Sequence, residues 1–173
     1  MTAIQNESER AVKGIARIGL LSALAVVAIA VFRVPGPGGN VYFHLGETVM
    51  ITSAVFLGKR GGGFIGGVSG AVADILLGAA LWAPFSLLIH GLKGWIIGAI
   101  ADGHGGIRDM LAMWVGVSVM IIGYTLTAGL LYGPGVMPVE FIGDLAQGGI
   151  GVAIAFAVTK TLTARCPRLA RRK

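Results

Sequence analysis

Cysteine is almost missing from this sequence. Cys166 is the single one in 173 residues, which excludes a disulfide framework and a thiolate metal site. Charge is scarce as well: 13% of the residues are charged, where an ordinary soluble domain carries about a quarter. No ATP-binding loop signature occurs. The histidines, His44, His90 and His104, form no paired metal-binding motif, and no activated-nucleophile arrangement is recognisable. An intramembrane enzyme built on His44, Glu47 and Asp74 is therefore disfavoured, and neither a metal nor another cofactor is implied.

What the chain has in excess is apolar surface. Its residues are 55% hydrophobic and its mean hydropathy is +0.82, values expected of an integral, multi-pass protein of the cell membrane. A helical span takes roughly 20 mainly apolar residues. Six spans fit the length and leave enough for termini and short loops, with no separate soluble domain. The expected architecture is an all-α membrane protein of six transmembrane helices, forming a single integral-membrane domain over residues 1–173.

The net charge of +6 is not a nucleic-acid signature, because the basic residues collect at the chain ends and in alternate loops. Arg10, Lys13 and Arg17 precede the first apolar run; Lys59 and Arg60 follow the second; Arg108 precedes the fifth; Lys160, Arg165, Arg168, Arg171, Arg172 and Lys173 close the chain. Positive charge is retained on the cytoplasmic side. Both termini are thus expected in the cytoplasm, with Arg33 the exception in an outer loop and the tail placed to meet anionic lipid.

The spans are expected at residues 11–32, 43–57, 62–80, 84–101, 110–132 and 138–164. Ala16, Gly19 and Ala23 line up on one face of the first, where small side chains let another helix approach closely. The Pro/Gly run 34–39 cannot continue a helix and makes an outer loop. Gly62, Gly66 and Gly70 recur every four residues with Asp74 next in register, which turns Asp74 toward a packed face rather than lipid. The loop 102–109 reads as a solvated inner turn rather than a metal site, since it offers many glycines and a single imidazole.

Given this topology, the polar residues gather in one half of the membrane. His44 and Glu47 begin span two, and Asp74 lies near the end of span three. Ser86, His90 and Lys93 occupy the first half of span four; Tyr124, Thr125 and Thr127 lie in the second half of span five; Glu140, Asp144 and Gln147 begin span six. Residues three or four apart share a helix face, and ionisable groups in a span face partners or a water-filled cavity. Glu47, Asp74 and Asp144 are candidate counter-charges for Lys93 and His90. The implied object is a polar pocket opening outward, closed by the loop at Asn40 and Tyr42.

The ordered set Phe43-His44-Leu45-Gly46-Glu47-Thr48, Phe56-Leu57-Gly58, Gly67-Val68-Ser69-Gly70 through Asp74 to Gly78, Ala83-Pro84-Phe85 and Gly91-Leu92-Lys93-Gly94 resembles the substrate-binding S component of energy-coupling factor (ECF) vitamin transporters. It is most similar to the branch that groups riboflavin-type, hydroxymethylpyrimidine and pyridoxine carriers. The resemblance implies a six-helix subunit that captures a vitamin or vitamin precursor from outside. It also implies association with a transmembrane coupling subunit and two ATPase subunits, and toppling in the membrane to release ligand inside. The stripe Ala16, Gly19 and Ala23 is similar to the surface such proteins use for coupling.

Members of this branch commonly read Gly-Asp-Thr where this chain has Gly46-Glu47-Thr48, Lys-Gly-Leu-Glu-Gly where it has His90-Gly91-Leu92-Lys93-Gly94, and Asn at Asp144. The expected substrate contacts are Asn40, Tyr42, His44, Glu47, Asp74, His90, Lys93, Tyr124, Asp144 and Gln147, around a pyridoxine- or hydroxymethylpyrimidine-like heteroaromatic. Lys93→Ala is expected to abolish ligand retention in a protein that stays folded. The rival reading is a self-sufficient secondary transporter or channel for a small polar solute.

Overall fold

The computed structural model describes residues 3–35 and 42–166. Asn40, the expected lid residue, and the basic residues of the extreme tail lie outside them. Among the described residues the chain is almost entirely helical: α1 (Ala3–Val31), α2 (Gly46–Leu76), α3 (Ala83–Ile100), α4 (Ile107–Tyr132) and α5 (Met137–Arg165). A short antiparallel pair, β1 (Arg33–Pro35) and β2 (Tyr42–His44), joins α1 to α2 with Arg33 opposite His44. Four helices, all but α2, are long and apolar enough to cross a membrane.

The expected division into spans two and three takes a different form. No loop separates them: α2 runs through Lys59 and Arg60 and is bent at Gly58, whose φ of 73° and ψ of −174° are non-helical. That left-handed φ suits glycine and strains any other residue. The chain thus kinks between two arms at the single non-helical residue Gly58. Span two also starts later than expected, because Phe43 and His44 lie in β2, and span three stops earlier, at Leu76. His44 and Glu47 therefore do not share a helix face.

Glycine determines how closely α2 and α3 approach. A methyl group on Gly62 would strike the Gly94 carbonyl, one on Gly66 the His90 carbonyl, and one on Gly94 the backbone of Gly62. Backbones this near each other gain dispersion contacts and exclude any side chain from the crossing. Gly91 lies on the same helix, yet a methyl there would meet Gly63 and Gly67 only at 3.6 and 3.8 Å. Gly94→Ala is expected to cost about 1–3 kcal/mol through overpacking, and Gly91→Ala to be neutral or slightly stabilising because alanine is the better helix former. Thermal unfolding of both variants in detergent checks the contrast; equal melting temperatures would refute it.

The apolar core lies where the first arm of α2 meets α3, α4 and α5, around Ile51, Val55, Ile97, Met113, Val117 and Val152. α1 packs chiefly on α2, through Ala25, Ile29 and the Ser69 hydroxyl, which donates to the Ser22 carbonyl at 3.2 Å. Its other side is exposed and greasy, including Ile15, Leu20, Leu24 and Val27. Ala16, Gly19 and Ala23 belong to that exposed side, and nothing stands near Gly19.

The α3–α4 connection corrects a second expectation. Rather than a solvated turn, it is folded around the fully buried Asp109 carboxylate, which accepts from the backbone N–H groups of Asp102, Gly103 and Gly105 at 2.8, 2.9 and 2.7 Å. The Thr163 hydroxyl of α5 donates to the Gly103 carbonyl at 3.3 Å, tying the turn to the last helix. Partial burial raises the Asp102 carboxyl, but hydrogen bonds from His104 and the nearby Arg108 charge outweigh it and leave the group below the usual carboxylate range. No group of metal-ligating side chains occurs among the described residues.

Candidate functional site

At the end of the bundle opposite Gly58, the helices enclose a cavity of about 710 Å³. That is within the size of small-molecule sites, about 300–1,000 Å³. Three kinds of wall surround it. Trp82, Tyr124, Tyr132 and His90 supply rings; Ile29, Ala73, Leu77, Met120, Ala128 and Val139 supply aliphatic surface; His44, Glu47, Asp74, Glu140, Asp144 and Gln147 supply polar groups.

The rings are tied to one another. Tyr124 lies 5.7 Å from Trp82 and 5.3 Å from His90 between ring centroids, and the Trp82 indole N–H donates to the Tyr132 hydroxyl at 3.1 Å. The Tyr124 hydroxyl shares a 2.5 Å hydrogen bond with Ser86. Offset and tilted rings at these separations favour one another, so the cavity presents a preformed aromatic wall to a flat ligand.

Beneath it lies a buried ion pair. Lys93 is fully buried, and its Nζ stands 2.7 and 2.6 Å from the Glu47 carboxylate oxygens and 2.7 Å from His90 Nδ1. An ammonium has three N–H donors and no acceptor, so these partners use all of them. His90 Nδ1 must then accept, which assigns the imidazole proton to Nε2, the nitrogen on the other side of the ring. Of the counter-charges considered from sequence, Glu47 takes Lys93; Asp74 and Asp144 do not. Lys93 does not line the cavity, whereas Glu47 and His90 do. It sits one layer behind the expected contacts and orients both of them.

Gln147 also has a prior engagement. Its Oε1 accepts from the His44 backbone N–H at 3.1 Å and its Nε2 donates to the His44 carbonyl at 2.9 Å. It latches β2 to α5 while exposing part of itself to the cavity. Asp74 and Asp144 differ: each lines the cavity, and the Oδ2 of each is buried with no hydrogen-bond partner among the described residues. Tyr42 lies in β2 opposite Pro35.

The structure thus gathers His44, Glu47, Asp74, His90, Tyr124, Asp144 and Gln147 around one space. It adds Trp82, Tyr132 and Glu140, none of them among the expected contacts, although spacing groups Glu140 with Asp144 and Gln147. Their signal was depth: all three flank turns at the same end as the polar set.

A preformed cavity lined by aromatic rings and carboxylates, inside a bundle of membrane-crossing helices, defines a membrane-embedded binding protein for a small molecule. The chain belongs to the family described as the ECF-type riboflavin transporter, S component, whose model matches residues 9–164. It is 31% identical over 155 residues to the thiamine precursor transporter HmpT of Lactococcus lactis subsp. cremoris (strain MG1363), covering 88% of this chain and 86% of that protein. It is also 37% identical over 129 residues to an uncharacterized protein in a gap 3′ region of Pyrococcus woesei, covering 74% of this chain and 86% of that one. The protein is a membrane-embedded transport subunit, and its family is not one of enzymes.

Proposed function

We propose that this protein binds a vitamin or vitamin precursor with high affinity, a pyridoxine- or hydroxymethylpyrimidine-like heteroaromatic, as the substrate-specific subunit of an ATP-driven ECF transporter. The observation that carries the reading is the ring-lined cavity of about 710 Å³ in a chain of this family. Similarity to a thiamine precursor transporter supports a small nitrogen heterocycle as the ligand.

In this reading the two arms of α2 act as separate spans, giving six crossings with both termini in the cytoplasm. The bend at Lys59 and Arg60, the α3–α4 turn and Arg165 then lie on the cytoplasmic side, in keeping with the retention of positive charge there. The cavity opens outward, and Asn40 and Tyr42 close it. His44, Glu47, Asp74, His90, Tyr124, Asp144 and Gln147 contact the ligand, and Lys93 holds Glu47 and His90 in place. The exposed stripe Ala16, Gly19 and Ala23 meets the transmembrane coupling subunit, which two ATPase subunits drive.

The decisive experiment pairs mass spectrometry of the small molecule that co-purifies with uptake into proteoliposomes. A heteroaromatic vitamin precursor is expected, retained by the isolated protein but accumulated only when the coupling and ATPase subunits are added with ATP. Accumulation by the isolated protein down or against an ion gradient would replace this reading with that of a self-sufficient secondary transporter.

A further inference from the structure

Resting on that reading, we infer that the cavity selects a ligand bearing an amino or protonated ring-nitrogen donor, held between Asp74 and Asp144, and excludes phosphate esters of the same ligand. The first observation is the balance of charge around the space. Glu47, Asp74, Glu140 and Asp144 line it, and no Lys or Arg does among the residues whose side chains are described, a set that leaves out Arg33. Lys93, the buried cation nearby among the described residues, directs its N–H donors at Glu47 and His90, with Met120 Sδ a further contact at 3.7 Å. Among these side chains a phosphate would meet carboxylates and no cation to compensate its lost hydration, an arrangement that disfavours anions.

The second observation is independent of that balance. Among the described residues Asp74 Oδ2 and Asp144 Oδ2 are buried acceptors without hydrogen-bond partners, although the Asp74 carboxylate also has a hydrogen bond with Ser86. An unsatisfied buried acceptor is costly, and one that faces a binding cavity is relieved when a ligand supplies the missing donor. Asp74 comes from the second arm of α2 and Asp144 from α5, so the two carboxylates reach the space from different helices. The aromatic wall of Trp82, Tyr124 and Tyr132 adds the ring faces that attract a positively charged heterocycle. His90, with its proton on Nε2, contributes a donor for a ring-nitrogen or hydroxyl acceptor. Together these set the pattern of an aminated ring with one acceptor edge.

The test is calorimetric titration of the purified full chain with matched probes. One series is a hydroxymethylated 4-aminopyrimidine, its 4-oxo counterpart and its phosphate monoester; the other is a hydroxylated pyridine with an aminomethyl group, its hydroxymethyl counterpart and its phosphate monoester. In whichever ring system binds, the amine is expected to bind about tenfold to hundredfold tighter than its oxygen counterpart, the span of a charge-assisted hydrogen bond. The ester is expected to bind more weakly still. Asp74→Asn and Asp144→Asn, isosteric changes whose folding is checked by melting temperature, should each shrink the preference for the amine. Because the wild-type series alone decides the matter, a variant that fails to fold does not protect the inference. An ester that binds as well as its parent, or amine and oxygen forms that bind alike, would overturn it while leaving the vitamin reading intact. If neither ring system binds, the pyridoxine- or hydroxymethylpyrimidine-like ligand is ruled out. The co-purifying molecule then decides the charge inference, an ammonium or amidinium compound supporting it and an anion or nothing at all overturning it.

Discussion

Replacing Lys93 by Met is expected to destabilise the protein by about 3–5 kcal/mol, the cost of leaving one partner of a buried ion pair without the other. Glu47 is fully buried, and both of its carboxylate oxygens are held by the Lys93 ammonium. Without that cation both oxygens lose their hydrogen-bond partner in a site closed to water. The same substitution frees His90 Nδ1, so the imidazole loses the bond that fixes its tautomer. Lys93→Met/Glu47→Leu removes the pair together and is expected to recover most of the lost stability, since apolar replacements for a buried pair are often neutral or better. Unfolding midpoints for the single and double variants measure this. A single variant as stable as the parent would show that the pair does not hold the fold.

This outcome differs from what the sequence suggests for Lys93. Spacing placed it on one face with Ser86 and His90, and cost arguments required a counter-charge. Neither says whether a buried lysine faces the ligand or stands behind the residues that do. The answer depends on which of three candidate carboxylates lies within 3 Å, a property of how α2 crosses α3, and that crossing is set by glycines such as Gly62 and Gly94 whose side chains carry no pattern of their own. Helical type, apolar register and the clustering of polar groups at one end were legible because they follow from periodicity and hydropathy over many residues. The bend was less so: Lys59 and Arg60 mark a position that favours water, and Gly58 permits a turn, yet a loop and a one-residue kink look alike in sequence. His44 was misjudged for a related reason. A strand of three residues is too short to show alternation, and its place is fixed from afar by the Gln147 amide.

Asp109→Ala is expected to cost about 3 kcal/mol or more, because hydrogen bonds to a charged group contribute about 1.5–3 kcal/mol each and buried donors left unmet add their own penalty. The carboxylate organises the α3–α4 turn by accepting from Asp102, Gly103 and Gly105. Gly103 and Gly105 hold left-handed φ values of 76° and 71°, which lets successive amides point inward at a single anion. Glycine richness and polarity make the segment read as solvated, whereas here they serve a buried anion. Gly105 passes close to Lys160 of α5, and Thr163 holds the Gly103 carbonyl, so a collapsed turn would also loosen the last helix. Asp144 rides on that helix. Asp109→Ala should therefore lower the unfolding midpoint and, at temperatures where the variant is still folded, accelerate amide exchange in residues 101–106 before it does so around the cavity. Asp109→Asn separates charge from shape: it keeps one acceptor oxygen and is expected to fall between the parent and the alanine variant. Exchange that rises first at the cavity, with the turn still protected, would mean that the turn is held by helix packing and that its buried carboxylate is incidental.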